Sequence, residues 1–384
     1  MSSPTPSSRL VSLDAFRGAT IAGMLLVNNP GSWGHVYPPL LHAPWHGWTF
    51  TDAIFPGFLW IVGVAMTLSF AKRVEAGGDT GELFRHVLRR SAIIFGLGLL
   101  LTAFPFGLLP GHNFSLEKMR IPGVLQRIGI CYLVAGAICL RWRVRGQIVW
   151  AAGLLVGYGL LLRFVPVPGY GAGRIDEAVG NLAWWIDSNL LAGHTWSGAP
   201  APGFDPEGII STLPAIASTL LGALAGGILR APNTGAAKTG RLLAAGGALL
   251  VAGLLWHLWQ PINKNLWTSS FTLFMAGVAS VGFAAFYWLI DVRGWQRWAT
   301  PFVIYGMNAI VIFVGAGLVA KLMGLIAWTN AAGAKTTLKG WLYAAGFTPY
   351  ASPFNASLAF ALAFVAGFLV FGWVLWRKRW FLKI

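Results

Sequence analysis

Charge is what this chain of 384 residues has least of: Asp, Glu, Lys and Arg make up 10%, against roughly 25% in an ordinary globular protein. With 56% apolar residues, that scarcity excludes both a soluble domain with a solvated surface and a disordered chain. Two cysteines are too few for a disulfide scaffold, and both, Cys131 and Cys139, fall in one apolar run and read as buried packing residues. No Gly-X-Y period accompanies the 49 glycines, so the chain is not collagenous. A P-loop, a GxSxG elbow and a dinucleotide fingerprint on a strand-turn-helix are also missing, which leaves soluble nucleotide-binding folds without support.

What is present is apolar length. A membrane span needs about 20 mostly apolar residues, and ten segments qualify: 11–29, 51–71, 88–108, 121–140, 147–165, 208–229, 241–259, 268–290, 300–322 and 355–376. The expectation is an all-α, multi-pass membrane bundle forming one domain over 1–384, with outer loops 30–50 and 165–207 contributing to any site. Between the spans no soluble segment is long enough to bury its own core. The net charge of +16 sorts by side. With the N-terminus inside, 18 of the 28 Lys and Arg fall on the inner face, from Arg9, Lys72 and Arg73 to the Arg377-Lys378-Arg379 run and Lys383. Basic loops resist translocation, so both termini are placed in the cytoplasm and the charge needs no nucleic acid to explain it. The first span reads as retained rather than as a signal peptide. Within 165–207, the stretch Asn181 to Leu191 reads as an interfacial helix. Pairs such as Gly153/Gly157 and Gly222/Gly226 have the spacing of close helix packing. They also leave a homodimer open.

Polar side chains inside spans are costly, at least ~2.5 kcal/mol each at the bilayer centre, so each marks a satisfied pair or a functional site. Asp14, Arg17 and Asn308 lie toward the inner third; the first two, at i and i+3, form either an ion pair or part of a ligand pocket. Toward the outer third come Asn28 and Asn29, His42 and His46 in LHAPWHGW, Asp52, Gln126 and Arg127, and Lys264 with Asn265. Four separate stretches converging at one depth predict a polar cavity open outward.

The histidines carry most information, because imidazole suits proton transfer near neutrality. A zinc site on His42 and His46 is disfavoured: Pro44 breaks a regular helix between them, the HExxH glutamate is missing, and both cysteines lie in a distant span. His42 reads as structural or as catalytic. In GFDPEGIISTLP, Asp205 as N-cap, Pro206 at N1 and Glu207 in the first turn form a helix start, with a substrate role as the alternative.

Several blocks in this order, RLVSLDAFRG, MLLVNNPGSWGHVYPPLLHAPWHGWTFTDAIFPGFLWIVGV, RIPGVLQRIGICYL, GFDPEGIISTLPAI, PINKNLWTSSF and YGMNAI, resemble the heparan-alpha-glucosaminide N-acetyltransferase family of lysosomal and bacterial inner-membrane enzymes. The likeness runs from about Arg9 to the basic C-terminus, without the N-terminal luminal domain of the lysosomal member. It implies a chain in the bacterial inner membrane that transfers acetyl from cytoplasmic acetyl-CoA, with no metal, to the amine of glucosamine or a glucosamine-containing saccharide. His42, in HAPW, matches the family's catalytic histidine, as general base or as acetyl carrier. Asn28 matches an asparagine near the acetyl group, with Asn29 as the other choice. No family role passes to His46. The remaining outer polar residues, His46, Asp52, Arg127, Asp205, Glu207, Lys264 and Asn265, are expected at the acceptor. Asp14, Arg17 and Asn308 are expected along a channel for the donor. A transporter or flippase for a sugar or lipid-linked saccharide is the alternative, although no internal repeat supports it.

Overall fold

The computed structural model describes residues 10–75, 77–108, 114–329 and 333–382; Arg9 and Lys383 lie outside them. In chain order the main elements are α1 (Val11–Asn28), α2 (Phe50–Glu75), α3 (Thr80–Ala103), α4 (Val124–Arg141), α5 (Val144–Phe164), α6 (Leu182–Leu190), α7 (Thr212–Arg230), α8 (Gly235–His257), α9 (Ser269–Tyr287), α10 (Thr300–Met307), α11 (Ala309–Leu325), the hairpin β1 (Ala327–Thr329) and β2 (Lys335–Thr337), α12 (Leu338–Gly346) and α13 (Pro353–Arg377). Helices dominate because hydrocarbon offers the backbone no partners, and only a helix satisfies its own.

Eight of the described helices are long and apolar enough to cross a membrane, and α10 with α11 make a ninth if that pair, bent by 73°, is one span. This is a multi-pass membrane protein. The expected single span 300–322 is broken at Asn308, whose backbone leaves the helical region (φ −123°, ψ 36°). α1 has 18 residues but falls short in hydropathy, because Asp14, Arg17 and Asn28 dilute its apolar run.

Glycine sets the closest helix contacts. A Cβ at Gly222 of α7 would land on the Trp60 carbonyl of α2, and one at Gly63 of α2 on the Thr219 carbonyl of α7. Gly18 and Gly306 play the same reciprocal part between α1 and α10, against the carbonyls of Phe302 and Asp14. Such contacts let backbones meet without intervening side chains, which is how helices associate where lipid and side chain are equally apolar. By contrast, Gly153 and Gly157 have nothing within 4 Å of an added Cβ, so their spacing marks no contact.

Two helix ends depart from simple capping. No side chain of its own caps α1. Instead Asp291, in the π-turn that ends α9, accepts from Val11 N at 3.2 Å and Ser12 N at 3.1 Å, a carboxylate at the positive helix end. The helix start expected at Asp205 is not formed. Asp205 Oδ1 does accept from Glu207 N at 2.9 Å, as a cap would, while also holding Arg120, but the turn does not continue and α7 begins at Thr212 after Ser211. Asn181 does cap the short helix expected near it, accepting from Trp184 N at 2.8 Å. At this end of the bundle Tyr158 and Leu162 of α5, Ile175, Leu182, Phe204 and Leu266 form a small separate core, so the long loop does bury apolar side chains by borrowing the end of α5.

Candidate active site

His42 stands on the segment between α1 and α2, and that segment is tied down at three places. Gly31 N donates to Ser357 O at 3.1 Å and Ser32 N to Ser357 Oγ at 3.0 Å, joining it to α13. Trp45 Nε1 donates to Ile175 O at 3.0 Å and Gly47 N to Ile262 O at 2.8 Å, joining it to two further loops. The third tie is Asp52, in the first turn of α2, where the helix dipole favours a carboxylate. Its Oδ2 accepts from Ala43 N at 3.0 Å, Thr49 N at 3.0 Å and Thr49 Oγ1 at 3.2 Å. Its Oδ1 lies 2.6 Å from His42 Nδ1. An ionised carboxylate only accepts, so Nδ1 carries the proton and Nε2 keeps its lone pair. The Asp52 side chain is fully buried, and that of His42 is 50% exposed. The result is a fixed imidazole with its basic nitrogen outward.

His46 does not share this partner. Its Nε2 donates to Asp176 Oδ1 at 2.9 Å, and its Nδ1 accepts from Asn263 Nδ2 at 3.3 Å. Asn263 is fully buried and also receives Leu266 N at 2.8 Å, so His46 holds the His42 segment to the 260–268 turn. Asn28 is exposed at the end of α1, whereas Asn29 is buried and donates to Leu25 O at 2.8 Å.

The structure gathers Arg127, Asp205, Glu207 and Lys264 into one buried ion cluster and adds Arg120, which the sequence did not single out. Arg120 Nη2 donates to Asp205 Oδ1 and Glu207 Oε2, both at 2.6 Å. Lys264 Nζ lies 3.9 Å from Glu207 Oε1, and Arg127 Nη2 donates to Ser211 Oγ at 2.5 Å. Burial alone would raise Glu207, but Lys264, Arg120 and Arg127 outweigh it and hold the carboxyl down at about 2. Asp187 of α6 goes the other way: burial, reinforced by Asp205, pushes it up to about 7. Asn265 is buried beside the cluster. Arg120, Asp205, Glu207 and Lys264 pair with one another, whereas Arg127 Nε and Nη1 and Asp187 Oδ2 are buried without a hydrogen-bond partner among the described residues.

At the opposite end of the bundle a cavity of about 490 Å³ opens among α1, α2, α3, α4 and the α10–α11 bend, within the usual range for a small-molecule site. Its mouth is basic: Arg17, Arg73, His86 and Arg90 line it. Arg73 Nη2 donates to His86 Nε2 at 3.0 Å, Arg90 lies over the Tyr132 ring at 5.2 Å, and Arg90 Nε is a buried donor without a partner. Its far end is apolar, with Met24, Phe58 and Val124. Phe58 lies six residues beyond Asp52 and Met24 four before Asn28, so by helix rise the apolar end stops roughly 9 Å short of Asp52 along α2 and roughly 6 Å short of Asn28 along α1. Of the three residues expected along this channel, Arg17 lines it. Asp14 stands behind as the partner of Arg17 at 3.2 Å. Asn308 accepts from Leu382 N at 3.3 Å, and Leu382 itself lines the cavity.

Against this geometry, a family model described as heparan-alpha-glucosaminide N-acetyltransferase, catalytic, matches residues 9–257. The chain belongs to that family. The heparan-alpha-glucosaminide N-acetyltransferase match contains His42, Asp52 and the basic mouth, and ends before α9. The chain is 30% identical over 361 residues to the human protein of that name, covering 80% of this chain and 52% of the human one. The mouse protein is 29% identical over 357 residues, with 80% and 53% covered. The chain thus spans about half the length of the curated relatives it matches.

Arg73, His86, Arg90, Arg120, Asp176, Asp187 and Asn263 escaped the sequence reading. The three at the cavity mouth look like positive-inside residues, and only their shared cavity separates them from the rest of that belt.

Proposed function

We propose that this chain is a transmembrane N-acetyltransferase that takes acetyl from acetyl-CoA at the cytoplasmic face and delivers it to the amine of a glucosamine-type sugar on the other side of a bacterial inner membrane. The observation that carries this reading is the buried Asp52 held at 2.6 Å from His42 Nδ1, with Nε2 left free. The distribution of Lys and Arg supports ten membrane helices with both termini cytoplasmic and the whole chain as one domain.

An ammonium group is not a nucleophile, so the acceptor must first lose a proton. His42 Nε2 takes it, while Asp52 fixes the ring and offsets the charge of the imidazolium. Acetyl-CoA supplies the thioester: the first proton goes on from His42 to water, the neutral amine forms the C–N bond, His42 Nε2 takes the second N–H proton, and that proton passes to the sulfur as the C–S bond breaks. Asn28, exposed at the end of α1, serves as a donor to the oxygen that gains charge. Arg17, Arg73, His86 and Arg90 match the phosphates of the donor, and the apolar walls match its pantetheine arm. Met24 and Phe58 form the last barrier before His42. A direct transfer needs only the base, whereas a two-step route would place the acetyl on His42 Nε2.

Purified protein in lipid vesicles should release free thiol from acetyl-CoA only when glucosamine is added. His42→Ala should reduce this at least ~10²-fold with an unchanged melting temperature. Full activity in a folded His42→Ala protein, or sugar uptake into vesicles without acetylation, would end the reading. Labelled acetyl retained on the protein without acceptor would select the two-step route.

A further inference from the structure

A second groove, of about 450 Å³, lies between α10 and α13 at the basic end of the bundle, apart from the cavity described above. Arg297, Thr300 and Ile304 form one wall, and Leu369, Val370 and Trp373 the other. Residues 297, 300 and 304 recur at i, i+3 and i+7, and 369, 370 and 373 at i, i+1 and i+4, so each set occupies one helical face. Gly372 allows the two walls to meet beside the groove: an added Cβ there would lie 3.2 Å from Ile304 Cγ2 and 3.0 Å from Ile312 Cδ1.

The groove is apolar along its length and cationic at its mouth. Arg297 is exposed, and its guanidinium has no hydrogen bond or ion pair among the described residues. Arg377 lies over the Trp373 ring at 5.2 Å, at the same end. Asp291, the last acidic residue of the sequence before Arg297 and Arg377, accepts from the N-terminus of α1. An unpaired guanidinium above a hydrocarbon slot at interface depth matches a molecule with an anionic head and an acyl tail. A soluble anion would leave the slot empty, and a zwitterionic lipid would bring an ammonium group toward the arginines.

We propose that this groove is a site for one anionic phospholipid of the leaflet facing the basic end, with its phosphate on Arg297 and an acyl chain along Ile304, Leu369 and Val370. Bound there, the lipid braces α10, whose Gly306 packs on α1 and lines the large cavity. The inference stands whether or not the chain is an acetyltransferase.

The test uses the full chain in detergent, titrated with phosphatidylglycerol or phosphatidylcholine and followed by native mass spectrometry and melting temperature. Phosphatidylglycerol should bind in one tight copy and raise the melting temperature, whereas phosphatidylcholine should do neither. Arg297→Gln should weaken that copy about fivefold, the effect of removing one interfacial cation. Ile304→Trp, which fills the slot and leaves the charge, should abolish it, and Arg143→Gln, on the distant turn between α4 and α5, should leave it unchanged. Equal response to both lipids, or equal loss in Arg143→Gln, would mean a general basic belt and would overturn the proposal. Competition by glycerol phosphate would do so too, since it would mark a soluble-phosphate site.

Discussion

Half of the His42 side chain meets solvent while that of Asp52 meets none, and in the proposed mechanism the ring exchanges protons while the carboxylate holds it. Asp52→Asn should lower kcat by roughly 10²–10⁴-fold and leave KM for acetyl-CoA unchanged, because the ring loses its fixed tautomer but the donor cavity is untouched. A pH–rate profile that kept its shape and height would show that Asp52 is structural only. Asp187 and Glu207 set opposite edges of the stability curve. Asp187 stands at about 7 in the folded chain against an ordinary 3.8, so the folded state keeps a proton that the unfolded state has lost. Its contribution therefore declines as pH rises from about 4 to about 7. Glu207, at about 2 against an ordinary 4.5, contributes above 4.5, and that contribution fades as pH falls toward 2. Melting temperature should peak between these edges. Asp187→Asn should flatten the alkaline side only and Glu207→Gln the acid side only.

Among the helices, small residues with the same spacing do different things. Gly222 touches the backbone of α2 and Gly153 touches nothing, so Gly222→Ala should cost about 1–3 kcal/mol as the pair is forced apart. Gly153→Ala should stay within about 0.5 kcal/mol. Thermal melting in one detergent compares them directly, and equal losses would contradict the packing of α2 on α7. The same limit explains the misplaced start of α7. Asp-Pro-Glu is good capping chemistry locally, and Asp205 Oδ1 does accept from Glu207 N, but a cap contributes typically ~1 kcal/mol and does not by itself carry a helix onward, while the same carboxylate is also tied to Arg120. Arg120 lies more than eighty positions away, so no window along the chain could have revealed that pairing. The span broken at Asn308 was equally hidden, because its flanks are uniformly apolar and one asparagine does not announce a 73° bend.

Across the whole molecule, the basic cavity at one end and the His42 pair at the other are separate until a donor joins them. Filling the cavity should disconnect them: Ile310→Trp, at a wall position just after the α10–α11 bend, should raise KM for acetyl-CoA at least ~10-fold while the melting temperature holds. Unchanged kinetics in the folded variant would place the donor elsewhere. The sequence by itself determined the membrane class, most of the helical segments, the uneven spread of basic residues between them and, through HAPW and its neighbouring blocks, the family, and it singled out His42 as a candidate. These are local quantities: hydropathy over one span, basic residues beside a span, and contiguous words of sequence. Only the tertiary structure decided that Asp52 belongs to His42, that Arg127, Asp205, Glu207 and Lys264 neutralise one another, and that Arg73, His86 and Arg90 share a cavity. Each of those depends on which helices are neighbours, and neighbours in a membrane are chosen by backbone contacts at glycines whose spacing along the chain looks the same whether or not anything packs against them.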